Sequence, residues 1–225
     1  MRLLAVTPIC VPIEEIARRQ HRYDRLVPAG VEIKLENLGT GSDIPRSLDS
    51  QDDIAASEAA VIARFADAGD YPVDGFLPDC VLDPGVDAGA PAISKPVFGI
   101  LKMTAHFLAG QGATVGAVAR NAAIASELDR KLHLYGLDLT HGRTAVLGLT
   151  VEDIANTARW NYAVSEHLQT IHVDAVINGC SAVDVSERGT GALVDPTALA
   201  LQLIGIGARV RANKPEITLP EILFK

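Results

Sequence analysis

No apolar run in these 225 residues approaches the roughly 20 needed to cross a bilayer. Met1-Arg-Leu-Leu-Ala-Val-Thr-Pro8 also meets a proline too early for the apolar core of a signal peptide. Positive charge is in deficit, with 20 Lys and Arg against 28 Asp and Glu and a net charge of −8. That balance argues against non-specific nucleic-acid binding and against a polybasic membrane contact, because both draw on a cationic surface. Cysteine is sparse. Cys10, Cys80 and Cys180 are odd in number and widely spaced, so no disulfide framework is expected and the thiols should be reduced. Neither Cys-x-x-Cys nor His-Glu-x-x-His occurs and the six histidines are scattered, so no metal is expected. Gly39-Thr-Gly-Ser42 lacks the remaining glycines and the lysine of a phosphate loop and reads as a turn. What these absences leave is a soluble, cytoplasmic protein whose partner is a small molecule, with neither nucleic acid nor membrane involved.

With 48% hydrophobic residues, the chain can fill one large core or two small ones. Short β-type runs alternate with longer amphipathic ones. Leu3 to Val6, Val31 to Glu36 and Val73 to Leu77 read as strands, with helices over Pro12 to Leu26 and Ser50 to Ala68. A second series starts at Val97. It has a helix over Met103 to Ala109, a strand over Thr114 to Ala119, a helix ending at Leu134 before Gly136, and a strand over Arg143 to Leu147. Thr150 is expected to cap one long helix reaching about Ile171, followed by a strand over Ala175 to Asn178 and an apolar helix from Thr197 to about Val210. The alternation predicts an α/β protein of two closely packed lobes, each a mostly parallel sheet covered by helices. Residues 1–96 plus 205–225 are assigned to the first lobe and 97–204 to the second.

Two thiols end strand-like runs 100 residues apart: Gly75-Phe-Leu-Pro-Asp-Cys80 and Asp174-Ala-Val-Ile-Asn-Gly179-Cys180. Ligands in open α/β folds bind at the carboxyl ends of strands, so the two could face one cleft. Inverting a carbon beside a carbonyl needs a base on one face and an acid on the other. A free thiol ionises at about 8.5, so one sulfur can act as thiolate while its partner donates a proton. The glycine before Cys180 and Pro84-Gly85 after Cys80 permit tight turns that expose backbone N–H groups, here those of Val81 and Ser181, to an enolate oxygen. The competing reading is that free cysteines serve as small buried hydrophobes, as Cys10 is expected to do.

Four segments resemble the aspartate/glutamate/hydantoin racemase superfamily, and most closely its hydantoin and allantoin racemase branch. They are Cys80-Val-Leu-Asp83-Pro84-Gly85-Val86, Pro96-Val-Phe-Gly99-Ile, Asn178-Gly179-Cys180-Ser181-Ala182 and Gly191-Ala-Leu-Val-Asp195-Pro196. The match runs in order over most of residues 1–212. The resemblance implies two pseudo-symmetric Rossmann-like lobes with the active site in the cleft between them, no cofactor, and Cys80 and Cys180 as the acid/base pair. The chain departs from the pattern in three places. Ile9 replaces an asparagine of the first segment, Ala119-Arg120-Asn121 replaces a threonine after the fourth expected strand, and Ser181-Ala182-Val183 replaces Ala-Gly. The substrate therefore cannot be carried over from the branch.

Beyond the cysteines, the expected substrate contacts are Thr7, Val81, Arg120, Asn121 and Ser181. Thr7 ends the first strand and could donate to substrate or cap a turn. The Arg120 guanidinium could take a carboxylate bidentately or simply be solvated. Asp83 is read as capping its own Pro84-Gly85 turn and Asp79 as facing away from Cys80, since its charge would oppose thiolate formation. His106, His133, His141 and His172 have no obvious partner, and Trp160 and Tyr162 are assigned to packing. The leading function is a cofactor-independent racemase or epimerase for a hydantoin, allantoin or related small amide or amino acid. Its rivals are maleate-type cis-trans isomerisation, decarboxylation, and non-catalytic binding of a small molecule. The apolar Leu219-Pro-Glu-Ile-Leu-Phe224 segment makes a homo-oligomer a further expectation.

Overall fold

Every strand pairing in the computed structural model is parallel, as the alternation of short apolar runs with amphipathic ones requires. The structure describes residues 1–39, 41, 44–86, 92–140, 142–154, 156–185 and 192–212. The Gly39–Ser42 turn in part, His141 and the Leu219–Phe224 segment lie outside them.

The first sheet has the order β2 (Glu32–Glu36), β1 (Arg2–Val6), β3 (Gly75–Pro78). The second has the order β5 (Ala145–Val146), β4 (Val115–Ala119), β6 (Ala175–Asn178), β7 (Leu193–Val194). Each sheet centres on its first strand, and in each a cysteine follows the third. The helices are α1 (Ile13–Leu26), α2 (Gln51–Asp67), α3 (Ile100–Gly110), α4 (Ala122–Leu134), α5 (Val151–Ile154), α6 (Thr157–Leu168) and α7 (Pro196–Ala212). Among the described residues no helix is long and apolar enough to cross a membrane.

Alternation along the strands divides the apolar side chains between two faces. Leu3 and Ala5 join Leu77, Ala117, Ile177 and Leu201 in one continuous core that runs through both sheets. Leu4 and Val6 turn the other way, onto Val61, Phe65 and Phe76, with the rings of Phe65 and Phe76 stacked at 4.7 Å. Val118 and Val176 of the second sheet meet Trp160 and Val164 of α6 in the same manner. Each such large apolar side chain, fully buried, contributes about 1.5–3 kcal/mol.

Two expectations need correction. The long helix from Thr150 is two helices, because Asn156 starts α6 by accepting the Arg159 N–H at 3.2 Å, while Thr150 caps α5 through the Asp153 N–H at 3.3 Å. Pro96 to Phe98, read as opening the second series, lies beside β3 instead. The Phe76 N–H donates to the Pro96 carbonyl at 2.9 Å and the Phe98 N–H to the Phe76 carbonyl at 2.8 Å. The first sheet thereby gains a one-bridge fourth strand that leads into α3, as β7 leads into α7.

Gly179 shows how tightly the second sheet closes beside its cysteine. Its N–H donates to the Val118 carbonyl at 2.8 Å, and a Cβ there would collide with that oxygen. Gly179→Ala is expected to cost about 1–3 kcal/mol in urea denaturation. Gly110→Ala, in α3 with open space at the Cβ position, should be neutral or slightly stabilising.

Candidate active site

Cys80 follows β3 and Cys180 follows β6, and both sulfurs' residues line one cavity of about 60 Å³ between the two sheets. Ile9, Leu48 and Ile124, with Val151 and Ile154 of α5, make much of the wall apolar, and Arg19 and Arg120 supply its cations. A cavity of this size admits a few waters or a compact ligand. A wider groove of about 460 Å³ opens beside it, sharing Ile9, Arg19, Val151, Ile154 and Ala182, and carries Arg46 and Glu152 on its rim. Cys10 lies in that outer groove. Among the described residues, no group of three His, Cys, Asp or Glu side chains is arranged to hold a metal ion.

Burial pushes the Cys80 thiol up to about 12. The Leu82 N–H, 3.4 Å from Sγ, opposes that rise, while Asp79, Asp83 and Cys180 add to it. Burial also raises Cys180, against the Ala182 N–H and the guanidinium groups of Arg19, Arg120 and Arg22. Neither thiol is lowered, whereas a useful thiolate near neutral pH calls for a modest fall. Desolvation outweighs the local donors, and a polar ligand would have to offset it.

The other expected contacts divide into two groups. Val81, Arg120 and Ser181 line the cavity. Among the described residues no hydrogen bond engages the backbone N–H of Val81 or Ser181, whereas the next N–H groups turn back on Cys80, Leu82 to the sulfur and Asp83 to the carbonyl at 3.2 Å. Arg120 is only 4% exposed and its Nη1 pairs with Asp49 at 2.7 Å. Thr7 and Asn121 do not reach the cavity, because backbone groups take up their polar atoms. The Thr7 hydroxyl donates to the Ile9 carbonyl at 2.9 Å and accepts the Leu38 N–H at 3.0 Å. Asn121 caps α4 through the Ile124 N–H at 2.8 Å and donates to the Leu48 carbonyl at 2.9 Å. Tyr162, assigned to packing, is exposed and donates to Glu166 at 2.8 Å.

Sequence reasoning missed Arg19. It assigns Pro12 to Leu26 simply as a charged helix, yet Arg19, Arg22 and Tyr23 are buried. Their spacing, continued by Leu26, puts them on one helical face, and that was the available signal. Arg19 Nη1 pairs with Asp79 at 2.9 Å, its Nε with Glu15 at 2.6 Å, and the Tyr23 hydroxyl donates to Asp79 at 2.7 Å. Asp79 is thus turned onto α1. From the same helix Arg22 donates to the Ser181 carbonyl and pairs with Asp195 at 2.6 Å, while Arg18 donates to the Ala182 carbonyl at 2.7 Å. The Ser181 hydroxyl closes the ring by donating to the Asp79 carbonyl at 2.9 Å. The two cysteine turns are therefore bonded both to each other and to α1.

Asp83 does something other than cap its own turn. Held at a φ of 51° and fully buried, its carboxylate accepts the Leu101 N–H at 3.0 Å, the Lys102 N–H at 2.8 Å and the Tyr135 hydroxyl at 3.1 Å. It caps α3, whose own N-cap, Gly99, has no side chain to offer. A Cβ on Gly99 would meet Asp83 Oδ2 at 2.5 Å. The Cys-x-x-Asp-Pro-Gly and Pro-Val-x-Gly-Ile segments are thus two parts of one joint.

A family model described as Asp/Glu/hydantoin racemase matches residues 24–204. Among solved structures the fold is similar to allantoin racemase from Pseudomonas fluorescens, with a TM-score of 0.80 at 17% identity over 97% of this chain and 95% of that one. It is similar as well to allantoin racemase from Klebsiella pneumoniae, with a TM-score of 0.73 at 18% identity over 94% and 89%. Maleate isomerase from Pseudomonas putida S16, solved with maleate, gives a TM-score of 0.62 at 13% identity over 93% and 92%. At these identities the likeness is one of fold. No curated protein matches the sequence significantly.

Burial raises Asp83 from the ordinary 3.8 to about 6 despite its three donors. A carboxyl that binds its proton more tightly when folded contributes stability that is full below its unfolded pKa and is lost as pH rises through the folded one. Asp83→Asn cannot ionise. Between about pH 4 and 6.5 the wild type should lose roughly 2–3 kcal/mol relative to that variant, as read by urea denaturation at each pH.

Proposed function

Because the chain belongs to the Asp/Glu/hydantoin racemase family, we propose that it is a racemase or epimerase that moves a proton between the two faces of a carbon next to a carbonyl, with Cys80 and Cys180 as base and acid. The observation that carries this reading is that the two cysteines, each following the third strand of its sheet, line the same small cavity. One sulfur, as thiolate, takes the proton from carbon. The carbonyl oxygen gains the charge, and the other sulfur, as thiol, returns a proton to the opposite face. The unengaged N–H groups of Val81 and Ser181 are the candidate donors to that oxygen.

The substrate proposed is a hydantoin, allantoin or a related small amide or amino acid. The narrow apolar wall with Ile9 and Leu48 suits a compact reacting centre, and the wider groove beside it suits a substituent. Arg120 is the candidate partner for a carbonyl or carboxylate of that substrate. No step in this scheme calls for a cofactor. The bonding of both cysteine turns to α1 favours a reacting pair held at fixed separation, which proton transfer at a single carbon requires.

Single-enantiomer 5-substituted hydantoins and allantoin in deuterium oxide should lose optical rotation while the product acquires deuterium at the inverted carbon. Cys80→Ser and Cys180→Ser should each reduce that rate by about 10²–10⁴-fold. Full activity in either variant would remove the two-cysteine mechanism. Conversion of maleate to fumarate without solvent deuterium exchange at hydantoins would replace racemisation with cis-trans isomerisation.

A further inference from the structure

The two sulfurs stand in unlike electrostatic surroundings. Cys80 is flanked within its own segment by two buried carboxyl groups, Asp79 immediately before it and Asp83 three residues on. Behind it, a small gap is lined by Glu58 of α2 together with Glu127 and Lys131 of α4, and Lys131 pairs with Glu58 at 2.8 Å. Cys180 is partly exposed and stands on the cavity wall with Arg19 and Arg120, while Arg22 of α1 bonds to the Ser181 carbonyl next to it. Among the described residues, the carboxylates paired with these guanidinium groups are Glu15 and Asp79 on Arg19, Asp184 and Asp195 on Arg22, and Asp49 on Arg120. The wall residues from α5, Val151 and Ile154, bring no charge, and neither do Ile9 and Leu48.

We propose that Cys180 is the sulfur that ionises first, and that Arg19 is the positioning residue that sets this order. The proposal rests on the two-cysteine reading of the site. Arg19 acts on both sulfurs at once. Its Nη1 binds Asp79, drawing that carboxylate onto α1, and its side chain lines the cavity that both cysteines share. An opposite charge within about 4–6 Å of a thiol favours the thiolate, and a like charge opposes it. In the singly ionised protein the thiolate on Cys180 then takes the proton from carbon and the Cys80 thiol delivers its own proton to the other face. The products of that turnover are a Cys180 thiol and a Cys80 thiolate. The protein therefore draws first on the enantiomer whose C–H points at Cys180, and the sulfurs must exchange a proton with solvent before the same enantiomer is taken again.

Alkylation by iodoacetamide, a neutral reagent, separates the order of ionisation from turnover. Timed labelling across pH with peptide mapping reads each cysteine by its own midpoint, which differences in access do not shift. The midpoint of Cys180 should lie below that of Cys80 by about one pH unit or more. Arg19→Gln should move the Cys180 midpoint up by about one unit, and Arg19→Lys should keep the original order. A Cys80 midpoint at or below that of Cys180 overturns the proposal, as does a folded Arg19→Gln protein with an unmoved Cys180 midpoint. If Arg19→Gln does not fold, the wild-type order decides alone. Cys180 ionising first in a protein that exchanges no substrate proton would leave the ordering intact and remove the racemase reading. The reverse order with exchange intact would do the opposite.

Discussion

Asp79 places a carboxyl group, with almost no access to water, one residue before the buried thiol of Cys80. Burying such a charge alone costs several kcal/mol, and its field opposes ionisation of the neighbouring thiol. The structure meets both difficulties with α1, whose Arg19 and Tyr23 hold the carboxylate. Once that bond fixes α1 against the end of β3, Arg18 and Arg22 on the same helix are carried to the carbonyls of Ala182 and Ser181 in the other half of the molecule. The relative position of the two cysteine turns thus follows from where one buried carboxylate finds its partners. The arginine that satisfies Asp79 is also one of the two cations lining the cavity.

The two sheets repeat one plan. In each, the first strand is central, the second and third flank it, and a fourth short segment beyond the third leads into a helix. Those two helices, α3 and α7, pack against each other. The repeat is imperfect at the helix starts. Asp195 caps α7 from its own chain position by accepting the Ala198 N–H at 3.0 Å, whereas α3 is capped from a distance by Asp83. That difference places a second buried carboxyl near Cys80, while Cys180 has arginines around it. The two sulfurs share a topology and differ in electrostatics.

Much of this could be read from residues alone. Apolar runs that end in cysteine mark strand ends, and strands alternating with amphipathic segments give parallel sheets. Segments such as Cys80 to Val86 and Asn178 to Ala182 carry the family resemblance. What escaped the sequence depends on partners far along the chain. A helical face bearing Arg19 and Arg22 has the same spacing whether it meets water or a buried carboxylate. Thr7 and Asn121 have side chains suited to a ligand, but nearby backbone N–H and carbonyl groups engage them first. The break between α5 and α6 turns on whether Asn156 caps a helix or continues one, and its composition permits both. Pro96 to Phe98 joins the first sheet through two backbone bonds that no side-chain pattern records.

The joint between Asp83 and α3 bears on which substitutions the chain can accommodate. Cys80 stands at one end of the intervening segment and the start of α3 at the other, and two N–H groups of α3 donating to the Asp83 carboxylate register the two ends directly. A change at either Asp83 or Gly99 therefore reaches both the segment that carries Cys80 and the start of α3, because the carboxylate leaves no room for a side chain at position 99.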